Sequence, residues 1–215
     1  MAAPSRVALP EAAQSQRLVV VVRAASPEAC VPIVDVLVEV GIRAIELTLT
    51  TPGALDLLST ARARYGDRVD LGMGTVLSGE DARLSLAAGA QFLVTPGVVL
   101  DAITLARASD VASICGALTP TEVMAAWSAG ASAIKLFPAS LLSTSYLREL
   151  RGPFPDLVAM PSGGVGIDGI ARWLDAGCAA VSLGGAVTSG SLDDIARTAT
   201  EAIRVATSGP ARPQR

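Results

Sequence analysis

The same phrase returns four times along the 215-residue chain: "EVGIRAIELTL" at 39–49, "AAGAQFLVTP" at 87–96, "SAGASAIKLFP" at 128–138 and "DAGCAAVSLGG" at 175–185. Each begins in a helical stretch, turns at a glycine and runs into an apolar strand rich in Val, Ile or Leu. Glycine suits the left-handed position that closes a helix, because it has no Cβ to strain there. Gly41, Gly89, Gly130 and Gly177 lie 48, 41 and 47 residues apart. That spacing is about twice the length of a compact strand–helix unit, so the four phrases imply eight units.

The intervening strands are "RLVVVVR" (17–23), "RVDLGMG" (68–74), "DVASICG" (110–116) and "DLVAMPSGG" (156–164). Helix starts follow most strands, at "SPEA" (26–29), "TPGA" (51–54), "SGED" (78–81) and "TPTE" (119–122), where Ser or Thr caps the first turn and Pro often takes the first helical position. Thr119 and Glu122 have the spacing of a capping box. Strands that are apolar at nearly every residue, alternating with helices, belong to parallel sheets covered by helices. Eight of them predict an α/β chain with a closed (β/α)8 TIM barrel as its single domain, over residues 17–207. Residues 1–16 are expected to form a loose or helical N-terminal extension and 208–215 a frayed tail. An open doubly wound sheet is the competing arrangement, disfavoured because no Gly-x-Gly-x-x-Gly turn follows the first strand.

Composition narrows the chemistry. The chain has no histidine, which removes a His general base and a Ser-His-Asp triad and leaves a zinc site without its usual nitrogen ligands. Cys30, Cys115 and Cys178 are odd in number and far apart, as expected for reduced, buried thiols and not for disulfides or a metal cluster. No metal and no cofactor is expected. A net charge of -3 and an aromatic content of 3% speak against a nucleic-acid partner. The longest aliphatic run, "LVVVV" at 18–22, falls far short of the roughly 20 residues that span a bilayer, and the first 16 residues lack an apolar signal core. A cytoplasmic protein with no membrane partner is expected.

In a barrel of this kind the C-terminal strand ends form the mouth of the active site, so polar side chains there carry functional weight. They are Arg23, Glu46 with Thr48 and Thr50, Thr75, Thr95, Lys135 and Ser162, and they are expected to converge. Asp70, Asp110 and Asp156 stand at strand starts and belong to the opposite, stability face. Lys135 is the sharpest candidate, because among 17 basic residues it is the one lysine, set in the apolar run "AIKLFP". A guanidinium supplies charge but cannot be deprotonated; an amine can, and then attacks a carbonyl to form a Schiff base. An ordinary lysine amine is only about 0.04% neutral at pH 7, and apolar surroundings raise that fraction. The plain alternative is a buried ammonium paired with a carboxylate.

Glu46, in "AIELTLT", is the one acid in the C-terminal half of a predicted strand. It reads as a counter-ion, as a general acid/base moving protons through carbinolamine, imine and enamine stages, or as both. Thr75 ends the third strand between glycines that let a ligand approach, its plainer role being a cap near the next helix. "PSGGV" (161–165) and "LGGA" (183–186) follow strands seven and eight, where barrels commonly bind phosphate. Ser162, Gly163, Gly164, Gly184 and Gly185 are therefore candidate phosphate-loop residues.

Taken in order, "AIELTL", "GMGTVLS", "VTPG", "AIKLFPA" and "PSGGV" resemble the 2-keto-3-deoxy-6-phosphogluconate and 4-hydroxy-2-oxoglutarate aldolases, over residues 17 to 205 or so. The resemblance implies a metal-free class I (β/α)8 aldolase that assembles as a homotrimer. It implies reversible cleavage of a 2-keto-3-deoxy sugar acid, 6-phosphorylated, to pyruvate and an aldehyde such as glyceraldehyde 3-phosphate. Lys135 matches the family's Schiff-base lysine, and Glu46 its general acid/base acting with a bound water. Thr75, Pro96 and Phe137 match residues lining the pyruvate half, and Gly163 and Gly164 the phosphate-loop glycines.

Two positions depart from the gluconate-type pattern. Thr50 stands where those enzymes carry a substrate-holding arginine, whereas Arg23, in "VVVRAASPEA", resembles the arginine of the galactonate-type branch. Ala186 replaces a serine that helps bind phosphate in the gluconate type. The readings that compete with an aldolase are a sugar-phosphate isomerase or epimerase using Glu46 as a base without an imine, and a non-catalytic phosphometabolite-binding barrel.

Overall fold

A computed structural model describes residues 5–208. A short helix, α1 (Glu11–Gln16), leads into eight strands: β1 (Leu18–Val22), β2 (Ala44–Thr48), β3 (Asp70–Gly74), β4 (Phe92–Val94), β5 (Ala112–Ala117), β6 (Ala133–Leu136), β7 (Ala159–Pro161) and β8 (Val181–Leu183). The helices between them are α2 (Pro27–Glu39), α3 (Ala54–Tyr65), α4 (Gly79–Ala87), α5 (Leu100–Ala108), α6 (Pro120–Ala129), α7 (Thr144–Leu150) and α8 (Ile170–Asp175). After β8 come the single turn α9 (Gly185–Thr188) and the long α10 (Leu192–Thr207). Every strand pair is parallel and the order runs β7-β6-β5-β4-β3-β2-β1-β8. An isolated Ser162–Ser182 bridge joins β7 to β8 and closes the ring. The expected (β/α)8 barrel is therefore the fold. The expected tail lies almost wholly outside the described residues, as do residues 1–4.

The four repeated glycines close their helices as expected, with φ between +93° and +97°. Each closure has the paired bonds of a Schellman turn. At the first, Ile42 N–H donates to Leu37 C=O and Gly41 N–H to Val38 C=O; Ala90, Ala131 and Cys178 repeat the longer bond at the other three. A fifth copy was hidden from the pattern. Asp110, at φ +54°, takes the glycine position after α5, and Val111 N–H bonds back to Ala106 C=O. Asp tolerates this conformation better than most side chains, so the turn survives without Gly.

Helix starts follow the sequence signals with one exception. Ser26, Ser78 and Thr119 accept from the backbone three residues on, and Thr119 with Glu122 completes a capping box. "TPGA" does not work that way: α3 starts after Gly53, and Thr51 instead accepts from the Ala24 N–H at 3.1 Å, tying the β2 loop to the end of β1.

Alternate strand residues divide between two apolar clusters, as pleating requires. Leu18, Val20, Ile45, Leu47, Leu71, Met73, Ile134 and Leu183 face the helices. Val19, Ala44, Phe92, Val94, Ile114, Ala133, Met160 and Ala180 fill the barrel interior. The Phe92 ring occupies space beside Gly72, where a Cβ would run into it. Leu9, Ala12 and Ala13 of the N-terminal segment join the inner cluster from below. Asp70 secures them by accepting from the Ala12 N–H at 3.2 Å. The lower barrel is thus a packed plug, and open space remains at the C-terminal end of the strands.

Candidate active site

That space is a cavity of about 770 Å³ over the strand ends. Most of the residues singled out for the site line it: Arg23 from β1, Glu46 from β2, Thr75 after β3, Pro96 after β4, Lys135 and Phe137 from β6, Ser162, Gly163 and Gly164 after β7, and Gly184 and Gly185 after β8. Glu46 shares the inward parity of Ala44, and Lys135 that of Ala133. Their strands stand across the barrel with β3, β4 and β5 between them. Even so, Lys135 Nζ comes within 3.8 Å of Glu46 Oε1, the two side chains being 8% and 2% exposed.

Small residues make that approach possible. Gly74 on β3 has no side chain where a Cβ would collide with the Glu46 carboxylate. Gly116 on β5, paired in register with Lys135, lets the Pro96 backbone close in over it. Lys135 Nζ also lies 5.2 Å from the centre of the Phe137 ring, within cation–π range. At 3.8 Å amine and carboxylate attract as charges but are too far apart for a good hydrogen bond. Glu46 Oε2 is buried without a hydrogen-bond partner among the described residues, an acceptor available to a ligand proton. Burial pushes the Glu46 carboxyl above its ordinary range, and the charges of Lys135 and then Arg23 oppose that rise.

Thr75 holds a left-handed backbone at φ +58°. β-Branched residues seldom accept that conformation, and such strain concentrates at binding sites. Gly163 and Gly164 are left-handed too, and a Cβ at Gly163 would press on the Phe137 ring at 2.8 Å. The "PSGGV" loop packs against the β6 loop, where the Ala139 N–H donates to Ser162 C=O at 2.8 Å and the Ser140 N–H to Gly163 C=O at 2.9 Å.

Three strand-end threonines do not converge with the others. Thr48 donates to Val22 C=O at 3.4 Å and accepts from Thr50 at 3.1 Å. Thr95 donates to Gly97 C=O at 2.6 Å and accepts from the Gly116 N–H at 3.2 Å. These hydroxyls stitch neighbouring strand ends together, and none lines the cavity. Conversely, Ser182, Thr188 and Ser189 line it without having been singled out. Alternation along "AVSLGG" places Ser182 inward beside Ala180, which was the available signal. Among the described residues no cluster of three or more Cys, Asp or Glu is placed to hold a metal ion.

The family model described as KDPG and KHG aldolase matches residues 10–203. The chain belongs to this family. Among curated members, it is 32% identical over 168 residues to the 2-dehydro-3-deoxy-6-phosphogalactonate aldolase of Escherichia coli (strain K12), covering 78% of this chain and 82% of that one. It is 34% identical over 165 residues to the 2-dehydro-3-deoxy-phosphogluconate aldolase of Treponema pallidum (strain Nichols), covering 76% and 78%. Of solved structures, one described as native KDPGal superposes with a TM-score of 0.82 at 29% identity, over 87% of this chain and 93% of that one. Family members thus bear both sugar-acid names.

Proposed function

We propose that the chain is a class I aldolase cleaving a 6-phosphorylated 2-keto-3-deoxy sugar acid to pyruvate and an aldehyde such as glyceraldehyde 3-phosphate. The observation that carries this reading is the pairing of the chain's one lysine with the one acid that lines its cavity among the described residues, both buried.

The neutral Lys135 amine adds to the C2 carbonyl, and the carbinolamine loses water to give a protonated imine. Glu46 accepts the proton of the C4 hydroxyl. The C3–C4 bond then breaks: C4 leaves as the aldehyde, and the bonding pair moves into the imine to form an enamine. Glu46 returns its proton to C3, and water releases pyruvate and the amine. A carboxyl whose pKa lies above the ordinary range suits both halves of that cycle, since acid and base strength are then closer to balance at working pH.

Thr75 and Arg23 hold the pyruvate carboxylate, and Pro96 and Phe137 wall the pyruvate half. The backbone of Gly163, Gly164, Gly184 and Gly185 receives the phosphate. Arg23, exposed at the end of β1, takes over the task that Thr50 cannot perform, which favours the galactonate-type substrate. The protein assembles as a homotrimer in the cytoplasm. The exposed Leu77, Leu100, Met124 and Leu141 support the assembly, and the burial of all three cysteines supports the reducing compartment.

The test is pyruvate release from the 6-phosphorylated gluconate and galactonate acids, each beside its unphosphorylated form, with a chelator present. Cleavage that favours the phosphorylated galactonate acid is expected. An isomerase or epimerase would interconvert sugar phosphates and release no pyruvate from any of the acids.

A further inference from the structure

Ser182 is 1% exposed, lines the cavity and takes no part in the chemistry described so far. It faces Ser162 across the seam where the barrel closes, and the Ser162 hydroxyl donates to Ser182 Oγ at 3.2 Å. A serine hydroxyl has one proton and two lone pairs. With its proton committed to Ser182, Ser162 meets the cavity as an acceptor only. The Lys135 strand is the next one round: Lys135 pairs with Met160, two residues before Ser162 on the same inward face. In the cleavage pathway the carbinolamine hydroxyl and the imine N–H are donors formed at that level of the barrel.

We propose that Ser182 is a positioning residue: by accepting the Ser162 proton it fixes Ser162 as a hydrogen-bond acceptor toward the carbinolamine formed on Lys135. This rests on the aldolase reading. Without Ser182 the Ser162 hydroxyl rotates freely, and for part of the time turns its proton toward the groups it should accept from. The loss falls on the steps through the carbinolamine and spares initial binding, so kcat drops while KM holds.

A double-mutant cycle tests this, with kcat, KM and the rate of pyruvate-dependent borohydride trapping at Lys135 measured for each protein. Ser162→Ala and Ser182→Ala are each expected to lower kcat and the trapping rate about tenfold, the worth of one hydrogen bond, with KM within about twofold. Ser182→Ala in the Ser162→Ala background is expected to add less than about a twofold effect, because Ser182 acts through Ser162. Ser182→Thr, which keeps an acceptor oxygen, should recover most of the rate. Multiplicative losses in the double variant, a Ser182→Ala protein as active as the parent, or losses confined to KM and thermal stability would each overturn the assignment. Absence of any Lys135 adduct in the unsubstituted protein would instead sink the aldolase reading itself.

Discussion

Lys135 Nζ stands 3.8 Å from Glu46 Oε1, although their strands occupy opposite sides of the barrel. The pair is almost fully out of water. Removing two charges from solvent costs several kcal/mol per ion, so a buried pair of this kind is weak evidence for stability. Its consequences lie in chemistry: the carboxylate keeps a charge partner and the amine keeps a nearby base. Chemistry and charge can be separated by experiment, because Arg preserves the charge and removes the nucleophile.

Lys135→Arg is accordingly expected to fold, with circular dichroism and melting close to those of the parent, while kcat falls by at least about a thousandfold. Substantial turnover would show that the position supplies only positive charge.

Gly74→Ala places a methyl group where the Glu46 carboxylate stands. Overpacking of this sort costs about 1–3 kcal/mol, and melting should drop by about 2–4 °C for each kcal/mol in a chain of this size. The larger effect is expected on kcat, through a displaced carboxylate, with imine trapping at Lys135 retained. Kinetics and calorimetry on the one variant check both, and unchanged kcat would mean that Glu46 is not held by this contact.

Thr75 trades stability for placement. Its backbone at φ +58° costs roughly 1–3 kcal/mol in a β-branched residue. Thr75→Gly removes that strain and returns about 0.5–1 kcal/mol through the freer unfolded chain. The variant should melt no lower than the parent while losing about tenfold or more in kcat/KM, since one hydrogen bond to a charged group is worth that much. A protein that melts lower yet keeps its kcat/KM would contradict this.

Glu46 predicts the direction of the pH response. Its carboxyl binds a proton more tightly in the fold than in the unfolded chain, where the ordinary value is 4.5. Its contribution to stability is therefore largest below that value and falls as pH rises through the raised one. Glu46→Gln should gain in melting temperature relative to the parent across that window. The acid limb of kcat/KM should lie above 4.5, and Arg23→Gln should move it higher still by removing one of the two cations that oppose the rise. A limb that moves down in Arg23→Gln would show that Arg23 does not act on Glu46.

The barrel was legible in the sequence because its punctuation is local. A glycine closing a helix and a run of apolar residues opening a strand need no knowledge of distant neighbours, and Gly41, Gly89, Gly130 and Gly177 all do what their spacing implied. Lys135 stood out by count alone. What escaped depends on partners elsewhere in the chain. Asp110 hid a fifth turn because its side chain is polar, and Thr51 resembled a cap until the Ala24 N–H claimed its oxygen. Thr48 and Thr95 sit at strand ends yet bond sideways to neighbouring backbone. Gly74 reads as one more strand glycine until the fold brings the Glu46 side chain, from two residues back in register, against it. Ser182 needed strand parity and the closure of β7 on β8 before its neighbour Ser162 came into view.

The most direct test of the account is reduction of the protein with borohydride in the presence of pyruvate, followed by peptide mass mapping. A stable adduct on Lys135, dependent on pyruvate and absent from Lys135→Arg, is the predicted result. No adduct, or one confined to the N-terminal amine, would contradict it.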